Sequence, residues 1–231
     1  MKKIFMTLAT VAVAATMNAQ VYLGGSLGFN FGSETRERAY GNYLYEVKTK
    51  TLDFEILPEI GYKISDKMAI GAQIGVSYDK ETDPYYWSTG NGVYSYDLTN
   101  KSFKFVFKPY FRYTFVEWDK VSLFADAQFG LAFGKDTYEE GIDYTNNILT
   151  YTTTDYKSSE FSFAIVPGIA YQASEKISIV AKLGNGFGYW YKKSKTPGTL
   201  NGVPYDFDRS SSKFGLNLNT LGLTVGVYYN F

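Results

Sequence analysis

Three basic residues, Lys104, Lys108 and Arg112, are spaced four apart in a stretch whose alternate positions are aromatic. In an extended strand, residues four apart point to the same face, so the bases share one face and the rings cover the other. Glu55 and Glu59 show the same spacing in another stretch. Such side chains form ion pairs, and a charge enclosed by protein must be paired or hydrated.

The sequence contains neither His nor Cys, which closes the usual routes to nucleophilic catalysis. Two carboxylate pairs remain open to acid catalysis, Asp143 with Asp155 and Glu139 with Glu140, against the blander interpretation of a solvated loop. We predict no catalytic residue, no cofactor and a protein that is not an enzyme.

A cation site is a further alternative, because carboxylate oxygens are the ligands that hard cations prefer. Asp206 and Asp208 would have to meet Asp79 and Asp83 from a different loop. Their spacing in the sequence does not require this, so we predict no metal site.

The composition argues against nucleic acid and for strands. The 23 basic residues balance the 23 acidic residues, and no basic stripe of the kind that nucleic acid requires is present. Aromatic residues make up 19% of the chain, while the mean hydropathy is only −0.20. Strands that alternate apolar and polar residues produce this combination, because each apolar residue is followed by a polar one.

Residues 1–19 have the pattern of a secretory signal peptide. Lys2 and Lys3 precede an apolar run that is too short to cross a membrane as a helix. We predict cleavage between Ala19 and Gln20, which leaves residues 20–231 as one domain.

The last stretch, 221–231, alternates without a break. Its odd-numbered positions are apolar up to Phe231, and its even-numbered positions are small or polar. That is the pattern of a strand with lipid on one face and a polar lumen on the other.

The same alternation of apolar and polar residues recurs in earlier stretches of the chain. It predicts an all-β fold, an eight-stranded antiparallel up-and-down transmembrane β-barrel. Short turns follow the second, fourth and sixth strands, and long loops follow the odd-numbered ones, as in barrels with short periplasmic turns. A soluble β-sandwich would need a shared core for every apolar face, so the barrel is favoured. The predicted strands are 21–31, 48–64, 68–78, 103–115, 121–133, 161–171, 177–189 and 213–231.

An eight-stranded barrel has an interior just wide enough for side chains. We predict that long basic side chains face a wall of glycines on the seventh, eighth and first strands. We further predict an ion-pair network that plugs the lumen and leaves no wide channel. Its members are Glu55, Glu59, Lys104, Lys108, Arg112, Asp126 and Lys182.

The leader ending Asn18-Ala19-Gln20, the eight alternating segments and the terminal Tyr228-Tyr229-Asn230-Phe231 together resemble the small outer-membrane β-barrel family of OmpA-like and OmpX-like proteins. Among these the chain is most similar to the barrel-domain proteins of Bacteroidetes-type bacteria. The resemblance covers the whole mature chain and implies a Gram-negative outer membrane. It also implies insertion by the outer-membrane assembly machinery, with Tyr229 and Phe231 as the C-terminal assembly signal.

For function, these features favour a structural or surface-interaction role, such as adhesion or envelope integrity. The alternatives are a narrow passive pore for small solutes and an accessory role in envelope assembly or secretion. The expected partners are outer-membrane lipid, lipopolysaccharide and the assembly machinery. The Tyr-rich loops serve either as an aromatic girdle or as a surface that binds an extracellular ligand. We expect a monomer.

Overall fold

The computed structural model describes residues 21–40, 43–89, 92–145, 148–183, 186–200, 203–217 and 223–231. The predicted leader and its cleavage site, Ala19 and Gln20, lie outside this part of the chain. In these ranges every regular element is a strand. No helix in them is long and apolar enough to cross a membrane.

Ten strands occupy eight positions around an antiparallel barrel, which confirms the predicted fold class. The strands are β1 (Val21–Tyr40), β2 (Tyr43–Lys63), β3 (Met68–Thr89), β4 (Gly92–Trp118), β5 (Val121–Thr145), β6 (Ile148–Gln172), β7 (Ile177–Leu183), β8 (Gly186–Leu200), β9 (Val203–Asn217) and β10 (Leu223–Asn230).

Strands β1 to β6 pair in chain order as hairpins. The seventh position is shared by β7 and β8, which both pair with β6. The eighth position is shared by β10, which pairs with β7, and β9, which pairs with β8. The pairing of β10 with β1, from Tyr22 opposite Asn230 to Gly28 opposite Thr224, closes the barrel.

The barrel is apolar outside and polar inside. Large hydrophobic side chains such as Phe105, Ile74 and Val227 are exposed on the outer face. Glu59, Asp126 and many other polar side chains are buried in the interior. Since exposed apolar surface of this extent is unfavourable in water, the outer face requires an apolar surrounding.

The prediction of four long loops is wrong. Most residues of these segments are in strands, so the hairpins continue outward as two-stranded ribbons. The segments are 32–47, 79–100, 134–158 and 191–212. Charged residues such as Glu34 and Arg36 led to the loop interpretation. A ribbon that is solvated on both faces can carry charge on both, and its Tyr, Thr and Val residues favour strand.

The prediction of one continuous last strand over 213–231 is also wrong. In β10 the even-numbered residues Thr224, Gly226 and Tyr228 are buried, and the odd-numbered ones are exposed. In β9 the odd-numbered residues face the interior, because Lys213 lies opposite Trp190 and Gly215 opposite Gly188 on the inner face of β8. The alternation therefore changes phase between the two strands.

Within the described residues, 29–40 of β1 pair only with β2, and 203–217 of β9 pair only with β8.

Four interior aromatic residues each lie directly opposite a glycine on the neighbouring strand. The pairs are Tyr22 with Gly61, Tyr110 with Gly71, Phe124 with Gly168, and Tyr228 with Gly24. A Cβ added at any of these glycines would collide with the ring. Each ring therefore lies flat over the backbone of the next strand, which lets four rings fit in a narrow interior.

We predict that Gly61→Ala destabilises the barrel by about 1–3 kcal/mol, because the added methyl group displaces the Tyr22 ring. Urea unfolding in micelles measures this change. Gly25→Ala is the matched control, because a Cβ there has its nearest neighbours at 3.4 Å. Equal stability of the two variants would contradict the steric explanation.

Candidate functional site

The centre of the interior is a bidentate ion pair between β4 and β5. Arg112 Nε donates to Asp126 Oδ1 at 2.6 Å, and Arg112 Nη2 donates to Asp126 Oδ2 at 2.8 Å. The two residues lie directly opposite each other in the ladder. Both side chains are almost fully excluded from solvent. Two parallel hydrogen bonds fix the guanidinium plane as well as its position.

Glu59 of β2 reaches the same place from across the lumen. Its Oε2 lies 3.0 Å from Lys182 Nζ, and its Oε1 lies 3.5 Å from Arg112 Nη2. Lys182 also lies 3.3 Å from Asp126 Oδ2. Gln73 Nε2 and the Tyr110 hydroxyl donate to Glu59, which completes its hydrogen bonding.

These four residues, Glu59, Arg112, Asp126 and Lys182, are called the charge layer below. They carry two positive and two negative charges, so the layer is neutral as a set. Burying each of these charges costs free energy. That cost is offset only because every member of the layer contacts an opposite charge and makes further hydrogen bonds. The layer joins strands β2, β4, β5 and β7 across the interior.

Aromatic rings surround Arg112. Its Cζ lies 4.0 Å from the centroid of Phe124, 5.2 Å from that of Tyr110 and 5.4 Å from that of Tyr228. The Tyr22 and Tyr110 hydroxyls are 2.6 Å apart, and Arg112 Nη2 donates to the Tyr228 hydroxyl at 3.3 Å. Cations lie favourably over ring faces, so these rings stabilise the guanidinium while excluding water.

Two cavities flank the charge layer. The one on the ribbon side, called the vestibule below, has a volume of about 580 Å³, and Asp79, Lys104, Lys108 and Trp190 are among the residues that line it. The other, of about 280 Å³, lies on the side of the short turns. Arg112 lines the second cavity, whereas Glu59, Asp126 and Lys182 line neither, so the charge layer lies between the two.

The remaining predicted lumen residues lie on the vestibule side of the charge layer. Lys108 pairs with Glu55 at 2.6 Å. Lys104 lies 2.9 Å from Glu160 and 3.5 Å from Asp79.

A further buried acid, Asp136, pairs with Lys192 at 2.6 Å and accepts hydrogen bonds from Ser102 and Ser158. The structure therefore places the seven predicted residues in two tiers rather than in one network.

Several members of the site escaped the sequence reasoning. Asp136, Glu160 and Lys192 fall in or next to segments that were predicted to be loops. Gln73 and the tyrosines were recognised only as polar or aromatic strand positions.

Of the glycines predicted to face the long basic side chains, Gly24 lies under the Tyr228 ring and Gly28 lies beside Thr224 and Glu55. Gly186, Gly188 and Gly226 lie close to the backbone of a neighbouring strand, and Gly184 and Gly222 lie outside the described residues.

The described members of the alternative acidic sites each contact another side chain or a backbone group. Asp155 pairs with Lys135, and Glu139 accepts from the Thr99 backbone N–H. Asp79 faces Lys104, and Asp208 pairs with Lys193. Across the described part of the chain, no three acidic side chains gather as a metal site would need. The side chains of Glu140, Asp143 and Asp206 lie outside the description.

No protein-family model matches the sequence, and no curated protein matches it. Solved structures of bacterial outer-membrane proteins do match. OprG from Pseudomonas aeruginosa is 11% identical, with 91% of this chain and 94% of that one covered and a TM-score of 0.45. The Escherichia coli protease OmpT is 12% identical over 92% and 97%, with a TM-score of 0.47.

Neisserial surface protein A is 13% identical over 93% and 98%, with a TM-score of 0.32. Identities and scores this low say nothing about what the chain binds or does. The functional argument therefore depends on the chain's own residues.

We predict that Glu59→Gln lowers the free energy of unfolding by about 3 kcal/mol or more, because it leaves Lys182 and Arg112 with one carboxylate between them. Urea unfolding in micelles measures the loss. The double variant Glu59→Gln/Lys182→Met restores neutrality, so its loss should be smaller than the sum of the two single losses. Strict additivity would show that the two charges are not coupled.

Proposed function

We propose that the chain is a monomeric outer-membrane barrel of a Gram-negative bacterium, with a plugged lumen and a structural or surface-interaction role. The observation that carries this proposal is the neutral, solvent-excluded charge layer between the two cavities. An ion crossing the lumen would have to break several buried ion pairs at once.

The apolar outer face supports a membrane location. Its exposed Phe, Ile, Leu and Val residues recur at alternate positions on strands all around the barrel. A closed barrel satisfies the backbone of its paired strands internally, which a bilayer core demands. Export and insertion belong to the same proposal: residues 1–19 are the leader, cleaved between Ala19 and Gln20.

The C-terminus fits an assembly signal recognised by the outer-membrane assembly machinery. The rings of Tyr229 and Phe231 pack edge to face, with centroids 5.0 Å apart. The Phe231 N–H donates to the Val21 carbonyl at 3.2 Å, so the chain end completes the barrel closure. We extend the proposal to kinship with OmpA-like and OmpX-like barrels of the Bacteroidetes type, which the leader and terminal motifs support.

The ribbons support a role at the cell surface. Strand β4 has 27 residues, whereas a tilted strand needs about 9–11 to cross a bilayer. Tyrosine pairs brace the ribbons, Tyr45 with Tyr86 and Tyr138 with Tyr156. Rigid tyrosine-bearing surfaces contact glycans and proteins at low entropic cost.

We predict that the refolded protein produces no steady conductance in planar bilayers, because the charge layer closes the lumen. Arg112→Ser removes the guanidinium at its centre and should produce small, ohmic steps. The heat-modifiable gel mobility of a folded barrel is the control for both proteins. Stable conductance from the unaltered protein would overturn the plug and favour the narrow pore.

A further inference from the structure

We propose that the vestibule binds a neutral saccharide, with the C–H face of a pyranose ring against Trp190 and its hydroxyl groups on the paired charges of the cavity wall. This inference rests on the proposed surface-interaction role and deepens it, because the vestibule lies on the ribbon side of the charge layer. It gives the cavity a class of ligand, whereas a plugged barrel by itself requires none.

The first observation is a tryptophan that faces the lumen. Trp190 of β8 lines the vestibule and is only partly buried. Lys192, two residues further along the same face, pairs with the buried Asp136. The Trp190 side chain makes no ring contact or hydrogen bond with another described residue. An apolar ring face and an indole N–H that share a polar cavity suit a ligand with an apolar face and hydroxyl groups.

The second observation is the space beside this ring. The residue opposite Trp190 on β6 is Ser162, and the residue opposite Ser162 on β5 is Gly130, so both neighbours in this row of the wall are small. Val106 and Ala132 add apolar surface to the lining. The volume of about 580 Å³ falls within the range of about 300–1,000 Å³ that is usual for small-molecule sites.

The third observation is the charge balance of the lining, which favours an uncharged ligand. Lys108 is already 2.6 Å from Glu55, and Lys104 is 2.9 Å from Glu160, so a charged ligand would compete with existing ion pairs. Among the described lining residues, four are acidic and four are basic, namely Asp53, Glu55, Asp79 and Glu160 against Lys104, Lys108, Lys192 and Lys213.

The fourth observation is that the ion pairs leave hydrogen-bonding capacity unused. An ammonium group has three donors, and a carboxylate has about four acceptor sites. Within the described residues, Glu55 and Lys108 contact only each other in this way, and the Ser162 hydroxyl makes no hydrogen bond. A sugar hydroxyl both donates and accepts, so it can bridge the carboxylate and the ammonium group of one pair.

The wall is also held in place before a ligand arrives. The Lys104 side chain is only 7% exposed and lies between Glu160 and Asp79. The Asp79 side chain is 44% exposed, so solvent reaches the same wall. Polar groups that are already ordered lose little entropy on binding, which favours a small ligand that makes few contacts.

Isothermal titration calorimetry of the refolded barrel tests the proposal, in a detergent without a sugar headgroup. Cellobiose is the probe, because its equatorial hydroxyl groups leave C–H faces on both rings. We expect saturable binding of one cellobiose, and no binding of sorbitol, which has the hydroxyl groups without a ring. Glucosamine and glucuronate should bind more weakly than glucose, because each adds a charge to a balanced cavity.

Two variants should weaken cellobiose binding at least about tenfold. Trp190→Ala removes the ring face, and Ser162→Leu fills the space in front of it while Trp190 stays in place. Trp118→Ala is the matched control, because it makes the same change at a side chain that is 81% exposed.

Fluorescence locates the sugar independently of these variants. In a Trp87→Phe/Trp118→Phe background, Trp190 is the only tryptophan left. Cellobiose should change its emission saturably, with the same midpoint as the calorimetric titration.

Absence of saturable cellobiose binding, equal binding of sorbitol, or a preference for either charged sugar would each overturn the proposal. Equal losses in Trp190→Ala and Trp118→Ala, or an unchanged Trp190 emission, would do the same. Heat-modifiable mobility and insertion into vesicles are measured on the same samples. A barrel that inserts but binds no cellobiose therefore contradicts this inference alone, whereas one that fails to insert contradicts the proposed function.

Discussion

Four charged side chains in the middle of a narrow barrel are stable only as a set. Arg112 is held by Asp126, and Lys182 bridges Asp126 to Glu59. These contacts join strands far apart in the sequence, so they exist only when the barrel is closed in one register. A slip of one residue would turn the charged side chains of a strand toward the apolar outside. The charge layer therefore selects the register as well as filling the lumen.

The positions of the aromatic rings explain how so many large side chains fit inside the barrel. An eight-stranded barrel leaves room for little more than its own side chains. Glycines opposite Tyr22, Tyr110, Phe124 and Tyr228 let the rings lie against backbone, which frees the axis for the ion pairs. The tyrosine hydroxyls then serve as additional partners for Glu59 and Arg112. Packing and charge satisfaction are thus two aspects of one arrangement.

Alternation of residue types was sufficient to predict the barrel, the inner face and the chain's charged interior positions, because period two is a local property of a strand. It could not show which charges meet. Lys108 and Arg112 share one face of β4, yet one pairs with Glu55 and the other with Asp126. Their partners depend on the barrel's stagger, which is not local. The ribbons were missed because charged, solvated strands resemble loops, and this hid Asp136 and Lys192.

Closure of the barrel and satisfaction of its buried charge depend on each other. In the described residues, β10 pairs with β1 from Tyr22 opposite Asn230 to Gly28 opposite Thr224, and this register lays the Tyr228 ring over Gly24. The Tyr228 hydroxyl then accepts a hydrogen bond from Arg112 Nη2 at 3.3 Å, so the last strand contacts the charge layer directly. If β10 paired with β1 in another register, Arg112 would lose this partner while it stayed buried, and an unsatisfied buried charge is costly.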